Sequence, residues 1–172
     1  MTLIKRKLRP TDAAELVSWL PHERDVLSWG GPYFDFPLRV GAINALIAEH
    51  RGKKPSRECW ALGDCDGRFV GTFQLAYNFR SGQASLGRVL LHPLHRGRGL
   101  ARKIIRHAED SAFQRSEINR LELRVFTFNQ PAVSAYIKAG FILEGEARQT
   151  ARLGADYWDD FIMSKLRSER SV

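Results

Sequence analysis

A short turn in which arginine and glycine alternate is the part of the chain best suited to bind an anion. An apolar stretch ends at Pro93, the segment Arg96-Gly97-Arg98-Gly99-Leu100-Ala101 follows, and an amphipathic helical pattern begins at Gly99. The N–H groups at the start of a helix have no partners within the helix, and with the helix dipole they attract anions. The glycines let the backbone approach a phosphate, and the arginines add positive charge. The segment 96–101, called the phosphate turn below, therefore predicts a pyrophosphate site.

Two other glycine-rich phosphate sites do not fit this turn. A Walker loop requires Gly-Lys-Ser/Thr after a four-residue spacer, but residues 101–103 are Ala-Arg-Lys. The dinucleotide fingerprint requires a third glycine where Arg102 stands. A plain strand-to-helix turn followed by a solvated basic helix stays open as an alternative, and so does contact with RNA phosphates.

A second segment, residues 129–141, places a tyrosine on a short helix that begins after an asparagine. Its sequence is Asn-Gln-Pro-Ala-Val-Ser-Ala-Tyr-Ile-Lys-Ala-Gly-Phe. Asparagine is a favoured residue at a helix N-cap, and glycine is favoured directly after a helix ends. A capped helix with Tyr136 in the core would explain the segment without assigning any chemistry to it.

The two segments together resemble the GNAT superfamily of acyl-CoA N-acyltransferases. The cofactor signature of that family is Gln/Arg-x-x-Gly-x-Gly/Ala after a strand, and Arg96, Gly99 and Ala101 occupy its fixed positions. Many members also carry Asn, then Ala-x-x-x-Tyr, then Gly-Phe, which is the spacing from Asn129 to Phe141. Features near both ends of the chain are similar to the ribosomal-protein N-terminal acetyltransferase branch and its uncharacterised relatives.

The resemblance implies that an acetyl group passes from acetyl-CoA directly to a primary amine, which is either a small-molecule amine or a protein N-terminus. It also implies that the strand Val89–Leu91 and Asn129 bind the pantetheine arm, and that Tyr136 protonates the departing thiolate. The expected cofactor-binding residues are Val89, Leu90, Leu91, Arg96, Gly97, Arg98, Gly99, Leu100, Ala101, Asn129 and Tyr136. A non-catalytic acyl-CoA-binding regulatory domain and a ribosome- or RNA-associated module are the alternative functions.

The base that accepts the amine proton stays open. Glu122 lies on the strand before the second segment, where some relatives place a carboxylate that relays the proton through water. A solvent-facing glutamate paired with Arg124 or Arg120 is equally compatible with the sequence. His92 is a second candidate because imidazole titrates near neutral pH. No free base is needed if the acceptor amine has a low pKa.

The acceptor site is the least constrained part of the prediction. In the family, the helices after the first strand and the last hairpin usually form its walls. The candidate lining residues are Trp19, Trp29, Tyr33, Phe34, Phe36, Tyr157 and Trp158, and the candidate partners of a cationic amine are Glu23, Asp25 and Asp35. The aromatic residues could equally belong to the core or to a dimer surface.

Hydrophobic periodicity predicts the elements that position these residues. The predicted strands are Leu3–Leu8, Cys59–Leu62, Arg68–Asn78, Ala84–Leu91, Leu121–Phe126, Phe141–Arg152 and Tyr157–Leu166. The predicted helices run from an N-cap at Thr11 or Asp12 to Pro21, over His22–Trp29, Arg39–His50 and Pro131–Lys138, and from Gly99 to about Arg115. Strands that meander and then alternate with helices predict an α/β fold with helices on both faces of a mixed sheet. The resemblance adds that this sheet is mostly antiparallel, with about seven strands in a single domain, 1–172.

Composition is typical of a folded globular chain. Of the 172 residues, 44% are hydrophobic and 27% are charged, which excludes a disordered chain. No apolar run approaches the roughly 20 residues that cross a bilayer, and two cysteines do not form a disulfide framework. We therefore expect a cytoplasmic protein without membrane contact. His92 and His95 have no further ligands at metal spacing, so no metal site is expected. Despite the net charge of +8, a nucleic-acid partner is a weak alternative, and a homodimer stays open.

Overall fold

The computed structural model describes residues 1–49 and 55–170, and within them seven strands and five α-helices are present. The strands are β1 (Ile4–Lys7), β2 (Arg57–Gly63), β3 (Phe69–Asn78), β4 (Gln83–Leu91), β5 (Arg120–Phe126), β6 (Ile142–Leu153) and β7 (Asp156–Leu166). The helices are α1 (Ala13–Ser18), α2 (Glu23–Gly30), α3 (Val40–Ala48), α4 (Leu100–Phe113) and α5 (Gln130–Lys138). Each predicted element is present, with ends shifted by a few residues; the predicted end of α3 at His50 lies outside the described residues.

Asp12 does not cap α1 in the way the sequence indicates. Its carboxylate accepts the backbone N–H of Arg9 at 2.8 Å and two hydrogen bonds from the Arg6 guanidinium at 2.7 Å. These bonds stabilise the short 3₁₀ turn Pro10–Asp12 that leads into α1, and the Asp12 side chain makes no capping bond to α1. The guanidinium beside it lowers the pKa of Asp12 even though burial opposes the shift.

All seven strands form one sheet in the order β1-β2-β3-β4-β5-β7-β6. Every neighbouring pair is antiparallel except β4 and β5, which are parallel and are connected through α4. The first strand lies at an edge of the sheet. The sheet is therefore mixed and mostly antiparallel, which confirms the predicted fold class.

Side chains at alternating strand positions build two apolar cores, one on each face of the sheet. On β2, Leu62 joins the core formed with α4 and α5, whereas Cys59 and Ala61 join the core formed with α1, α2 and α3. Ile104 of α4 and Ile43 of α3 are fully buried in these two cores. Helices therefore cover both faces of the sheet, as predicted.

The parallel strands β4 and β5 pair over only part of their length. Residues Gln83–Leu86 pair with Arg120–Leu123, and the described pairings between these strands end there, although β4 continues to Leu91. A β-bulge lies on the other side of β4, since Gly87 pairs with Gln74 and the next pair is Leu90 with Thr72. A bulge bends its strand, so β4 turns away from β5.

A buried ion pair connects the helices on one face with the sheet. Lys165 of β7 donates to Glu109 of α4 at 3.1 Å and to the carbonyl oxygen of Ala139, directly after α5, at 2.6 Å. The exposed fractions of the two charged side chains are 7% and 11%. Burial raises the pKa of Glu109, although Lys165 opposes the shift. The pair therefore fixes α4 and α5 relative to each other.

We expect Lys165→Met to lower the free energy of unfolding by about 3 kcal/mol, because it leaves a buried carboxylate without its counter-charge. The double variant Glu109→Leu/Lys165→Met should lose less than Lys165→Met alone, because both charges are removed. Arg170→Met is the matched control, because it breaks the exposed pair between Arg170 and Asp110, which lies next to Glu109 on α4. It should lower the free energy of unfolding by less than about 1 kcal/mol. Urea unfolding followed by circular dichroism measures all three, and equal stability of Lys165→Met and wild type would contradict the assignment.

Candidate active site

A cleft of about 740 Å³ opens where β4 and β5 separate. Its walls come from both faces of the sheet, so the cleft passes through the gap between the two strands. On one face the walls belong to α4 and α5, and on the other they belong to the end of α2, the loop after it and the β6–β7 hairpin. The incomplete pairing of two strands thus creates a concave surface with walls on both faces of the sheet.

On the α4–α5 face, small side chains and one tyrosine line the cleft. The lining residues on this face are Ala101, Ile105, Asn129, Ala132, Ala135 and Tyr136. The Oδ1 atom of Asn129 accepts a hydrogen bond from the backbone N–H of Ala132 at 3.4 Å, so Asn129 caps α5. This is the capped helix that the sequence predicts for residues 129–141. The alanines leave a narrow slot between the two helices.

Tyr136 is positioned by packing rather than by hydrogen bonds. Its exposed fraction is 7%, and its ring meets Phe141 edge to face with 5.7 Å between the ring centroids. Burial raises the pKa of Tyr136 well above its ordinary value. The hydroxyl therefore keeps its proton across the physiological pH range and can donate it to a group in the cleft.

The phosphate turn has the backbone conformation that its glycines predict. Gly97 and Gly99 have φ angles of 73° and 72°, in the left-handed region that other residues rarely adopt. Apart from the adjacent residues in the chain, no atom of residues 1–49 and 55–170 lies within 4 Å of a Cβ built at either position, so the space beside these glycines is open. No side chain caps the start of α4, and Arg98 and Arg102 are exposed beside it. The arrangement offers free N–H groups and positive charge to an anion.

The other predicted cofactor residues divide into two groups. Val89 lines the cleft, whereas Leu90 and Leu91 pack against the two apolar cores and Leu100 is buried in one of them. Arg96 donates from Nε to the carbonyl oxygen of Leu91 at 3.2 Å, so its side chain holds the turn against the end of β4. Residues 96–100 lie outside the cleft and lead directly into Ala101 in its wall.

Glu122 lies in the cleft and is also ion-paired. It accepts a hydrogen bond from Ser85 at 3.1 Å and one from Arg120 Nε at 3.4 Å. The same arginine binds Glu144 of β6 through both terminal nitrogens and holds the pKa of Glu144 at about 2. The sequence offered Arg120 and Arg124 as alternative partners of Glu122, and the structure shows the pair with Arg120. Arg124 lies instead 3.9 Å from Asp160.

Asp160 is a cleft residue that sequence reasoning missed. It lies on β7 with an exposed fraction of 9% and accepts a hydrogen bond from Thr150 of β6 at 2.8 Å. Burial raises its pKa. Asp160 enters the site because β7 pairs with β5, and this pairing joins residues far apart in the chain.

Two of the seven predicted aromatic residues line the cleft. They are Trp29 and Tyr33, at the end of α2 and in the following loop. Trp19 and Trp158 are buried in apolar clusters, and Phe34 packs beside Trp29. Phe36 and Tyr157 are exposed and, like the acidic candidates Glu23, Asp25 and Asp35, do not line the cleft.

Arg88 is the second residue that sequence reasoning missed. It stands in the β4 bulge with a φ of 51°, and its carbonyl oxygen accepts the indole N–H of Trp29 at 3.1 Å. Its guanidinium donates to Gln74 Oε1 and lies over the ring of Phe34, and burial lowers its pKa. The signal for the bulge was Gly87, since glycine inside a strand often marks one.

Two further expectations concern histidines and membranes. His92 accepts the backbone N–H of Leu94 at 3.1 Å, so its Nδ1 atom stabilises the turn after β4. Within residues 1–49 and 55–170, no three potential ligands come together to hold a metal ion. In the same part of the chain, no helix combines the length and the apolar character that crossing a membrane requires.

Comparison with known proteins identifies the family of this chain. Residues 22–141 match the acetyltransferase (GNAT) family. The chain is 27% identical to YjcK of Bacillus subtilis, a probable N-acetyltransferase, over 98% of this chain and 96% of that protein. It is 31% identical to the L-amino acid N-acetyltransferase AaaT of Escherichia coli over 42% of this chain and 44% of that one.

A solved structure shares the whole fold. The spermidine N-acetyltransferase of Vibrio cholerae, determined with CoA and spermine, superimposes with a TM-score of 0.83 at 24% identity, covering 97% of this chain and 96% of that one. The family match spans more than half of the chain. The protein therefore belongs to the GNAT family and is an acetyl-CoA-dependent N-acetyltransferase.

Proposed function

We propose that this enzyme acetylates the primary amine of a small molecule that enters the cleft on the α2 face. The observation that carries the proposal is the cleft itself, which passes through the sheet and whose volume of about 740 Å³ lies within the range of small-ligand sites. Relatives act on amines as different as spermidine and amino acids. A protein N-terminus, as in the ribosomal-protein branch, is the competing acceptor.

The two substrates bind on opposite faces of the cleft. Acetyl-CoA lies on the α4–α5 face, with its pyrophosphate at the phosphate turn and its pantetheine in the slot beside Asn129. The backbone of β4 beyond Leu86, which β5 leaves unpaired, binds the amides of the arm. The amine approaches from the α2 face and meets the thioester at the gap between the strands.

The chemistry requires one acid and one base. The amine nitrogen attacks the thioester carbon, the C–S bond breaks, and Tyr136 gives its proton to the departing thiolate. Glu122 accepts the proton that the amine loses, through water, and the hydrogen bonds from Ser85 and Arg120 hold its carboxylate in the cleft. Positioning two reactants in one enclosed site supplies much of the remaining rate enhancement.

Release of free thiol from acetyl-CoA over a panel of amines tests the function. We expect turnover with at least one class of small primary amine at a kcat/KM at least 10-fold above that with N-terminal peptides, because the cleft is enclosed by walls on both faces. Mass spectrometry of the product identifies the acetylated nitrogen. Turnover of peptides alone would contradict the small-molecule proposal.

Tyr136→Phe should lower kcat by about 100-fold or more, the usual contribution of a general acid, while the Kd for acetyl-CoA stays within about 2-fold. The phenylalanine retains the ring that packs on Phe141, so the fold should be preserved. Steady-state kinetics and calorimetric titration measure the two constants. Tyr157→Phe, at an exposed position outside the cleft, is the control. Equal kcat in Tyr136→Phe and wild type would exclude the acid role.

Glu122→Gln should make activity depend on amine that is already neutral in solution. We expect kcat/KM at pH 7 to fall about 100-fold and the difference from wild type to narrow as the pH rises toward the pKa of the amine. Tyr136 remains protonated there, because its pKa is raised by burial. Glu144→Gln alters the other partner of Arg120 outside the cleft and should leave the profile unchanged. A loss in Glu122→Gln that is independent of pH would show that Glu122 is not the base.

A further inference from the structure

Arg88 is a half-buried cation that contributes to the wall of the cleft, and no carboxylate among the described residues forms an ion pair with it. Its Nε atom and the Nε2 atom of neighbouring Gln74 are buried N–H donors without an acceptor in the same part of the chain. Neither of the undescribed segments, residues 50–54 and residues 171–172, includes an acidic side chain. Buried donors normally have acceptors.

The acidic residues of the cleft already have basic partners. Glu122 pairs with Arg120 at 3.4 Å, and Asp160 lies 3.9 Å from Arg124 and accepts a hydrogen bond from Thr150. Of the two arginines that line the cleft, Arg124 therefore contacts a carboxylate and Arg88 does not. A polycationic acceptor would place further positive charge beside it, whereas an acceptor with an anionic group would compensate it.

Arg88 is held in place before any ligand arrives. Its backbone is fixed by the bulge and by the hydrogen bond from Trp29, and its guanidinium is fixed by Gln74 and by the ring of Phe34, 5.1 Å from the ring centroid. A planar guanidinium with free N–H groups matches the geometry of a carboxylate, and prior positioning reduces the entropy lost on binding. Trp29 and Tyr33 line the cleft from the α2 side. Tyr33 directly precedes Phe34 in the chain, and Trp29 donates the hydrogen bond to the Arg88 carbonyl oxygen.

We propose that Arg88 binds a carboxylate of the acceptor, so that the small-molecule amine is a carboxylate-bearing amine such as an α-amino acid. This inference rests on the proposed function, and it assigns Arg88 to substrate specificity rather than to proton transfer. The ion pair supplies an acceptor for the orphaned Nε donor of Arg88. An amine that lacks the carboxylate leaves this donor without a partner, which is the costly case.

Matched pairs of amines that differ only in the carboxylate test the inference. The pairs are L-methionine with 3-(methylthio)propylamine, L-phenylalanine with phenethylamine, and L-ornithine with putrescine. In the wild-type enzyme we expect kcat/KM for the carboxylate-bearing member of the preferred pair to be at least 10-fold higher than for its partner. Turnover of the decarboxylated members at an equal or higher kcat/KM in all pairs would overturn the inference.

Arg88 variants identify the residue responsible. In Arg88→Met we expect KM for the preferred amino acid to rise at least 10-fold and the preference within the pair to disappear, with the Kd for acetyl-CoA unchanged. Arg88→Lys keeps the charge without the planar fork and should restore part of the preference. Arg106→Met, at an exposed position of α4, is the charge-matched control. A preference that persists in a folded Arg88→Met enzyme would overturn the assignment to Arg88.

The outcomes separate this inference from the proposed function. If no small amine is acetylated, the proposed function fails and the inference fails with it. If decarboxylated amines are acetylated well and amino acids are not, the proposed function stands and only the role of Arg88 is wrong. Thermal melting of Arg88→Met shows whether the variant folds. If it does not fold, the inference is tested by the preference of the wild-type enzyme for the carboxylate-bearing member of each pair.

Discussion

The separation of β4 from β5 is the constraint on which the site depends. Parallel pairing stops after Leu86 and Leu123, and the bulge at Arg88 bends β4 away. This bend leaves backbone groups of β4 without partners on the β5 side and opens a passage through the sheet. Unpaired backbone is costly when it is buried, so a ligand with amide groups would be stabilised there. The pantetheine arm of acetyl-CoA carries two amides, and we propose that they bond this part of β4.

The remaining elements place charge and proton donors around this gap. The phosphate turn presents free N–H groups at the start of α4, and the buried pair between Lys165 and Glu109 fixes α4 relative to α5, which carries Tyr136. On the other face, β5 and β7 bring Glu122 and Asp160 into the same cleft. The proposed acid, base and anion site therefore come from different elements, and the sheet sets their spacing.

Local patterns in the sequence were sufficient for the elements and for the backbone conformation of the phosphate turn. Strong apolar periodicity predicted all seven strands and five helices, and the glycines of the phosphate turn adopt the left-handed conformation that a tight approach to phosphate requires. The sequence left open whether Glu122 pairs with Arg120 or with Arg124, and it did not indicate the pair between Arg120 and Glu144. That pair depends on the strand order β5-β7-β6, which brings together residues far apart in the chain. The positive φ of Arg88 depends likewise on register between β3 and β4.

The central claim is that acetyl-CoA binds to the unpaired part of β4. Hydrogen–deuterium exchange with and without acetyl-CoA measures this directly, residue by residue. We predict that bound acetyl-CoA slows exchange of the backbone N–H groups in Gly87–Leu91 and at the start of α4, while exchange in β1 and β2 stays unchanged. Slower exchange elsewhere, with Gly87–Leu91 unaffected at saturating acetyl-CoA, would contradict the claim.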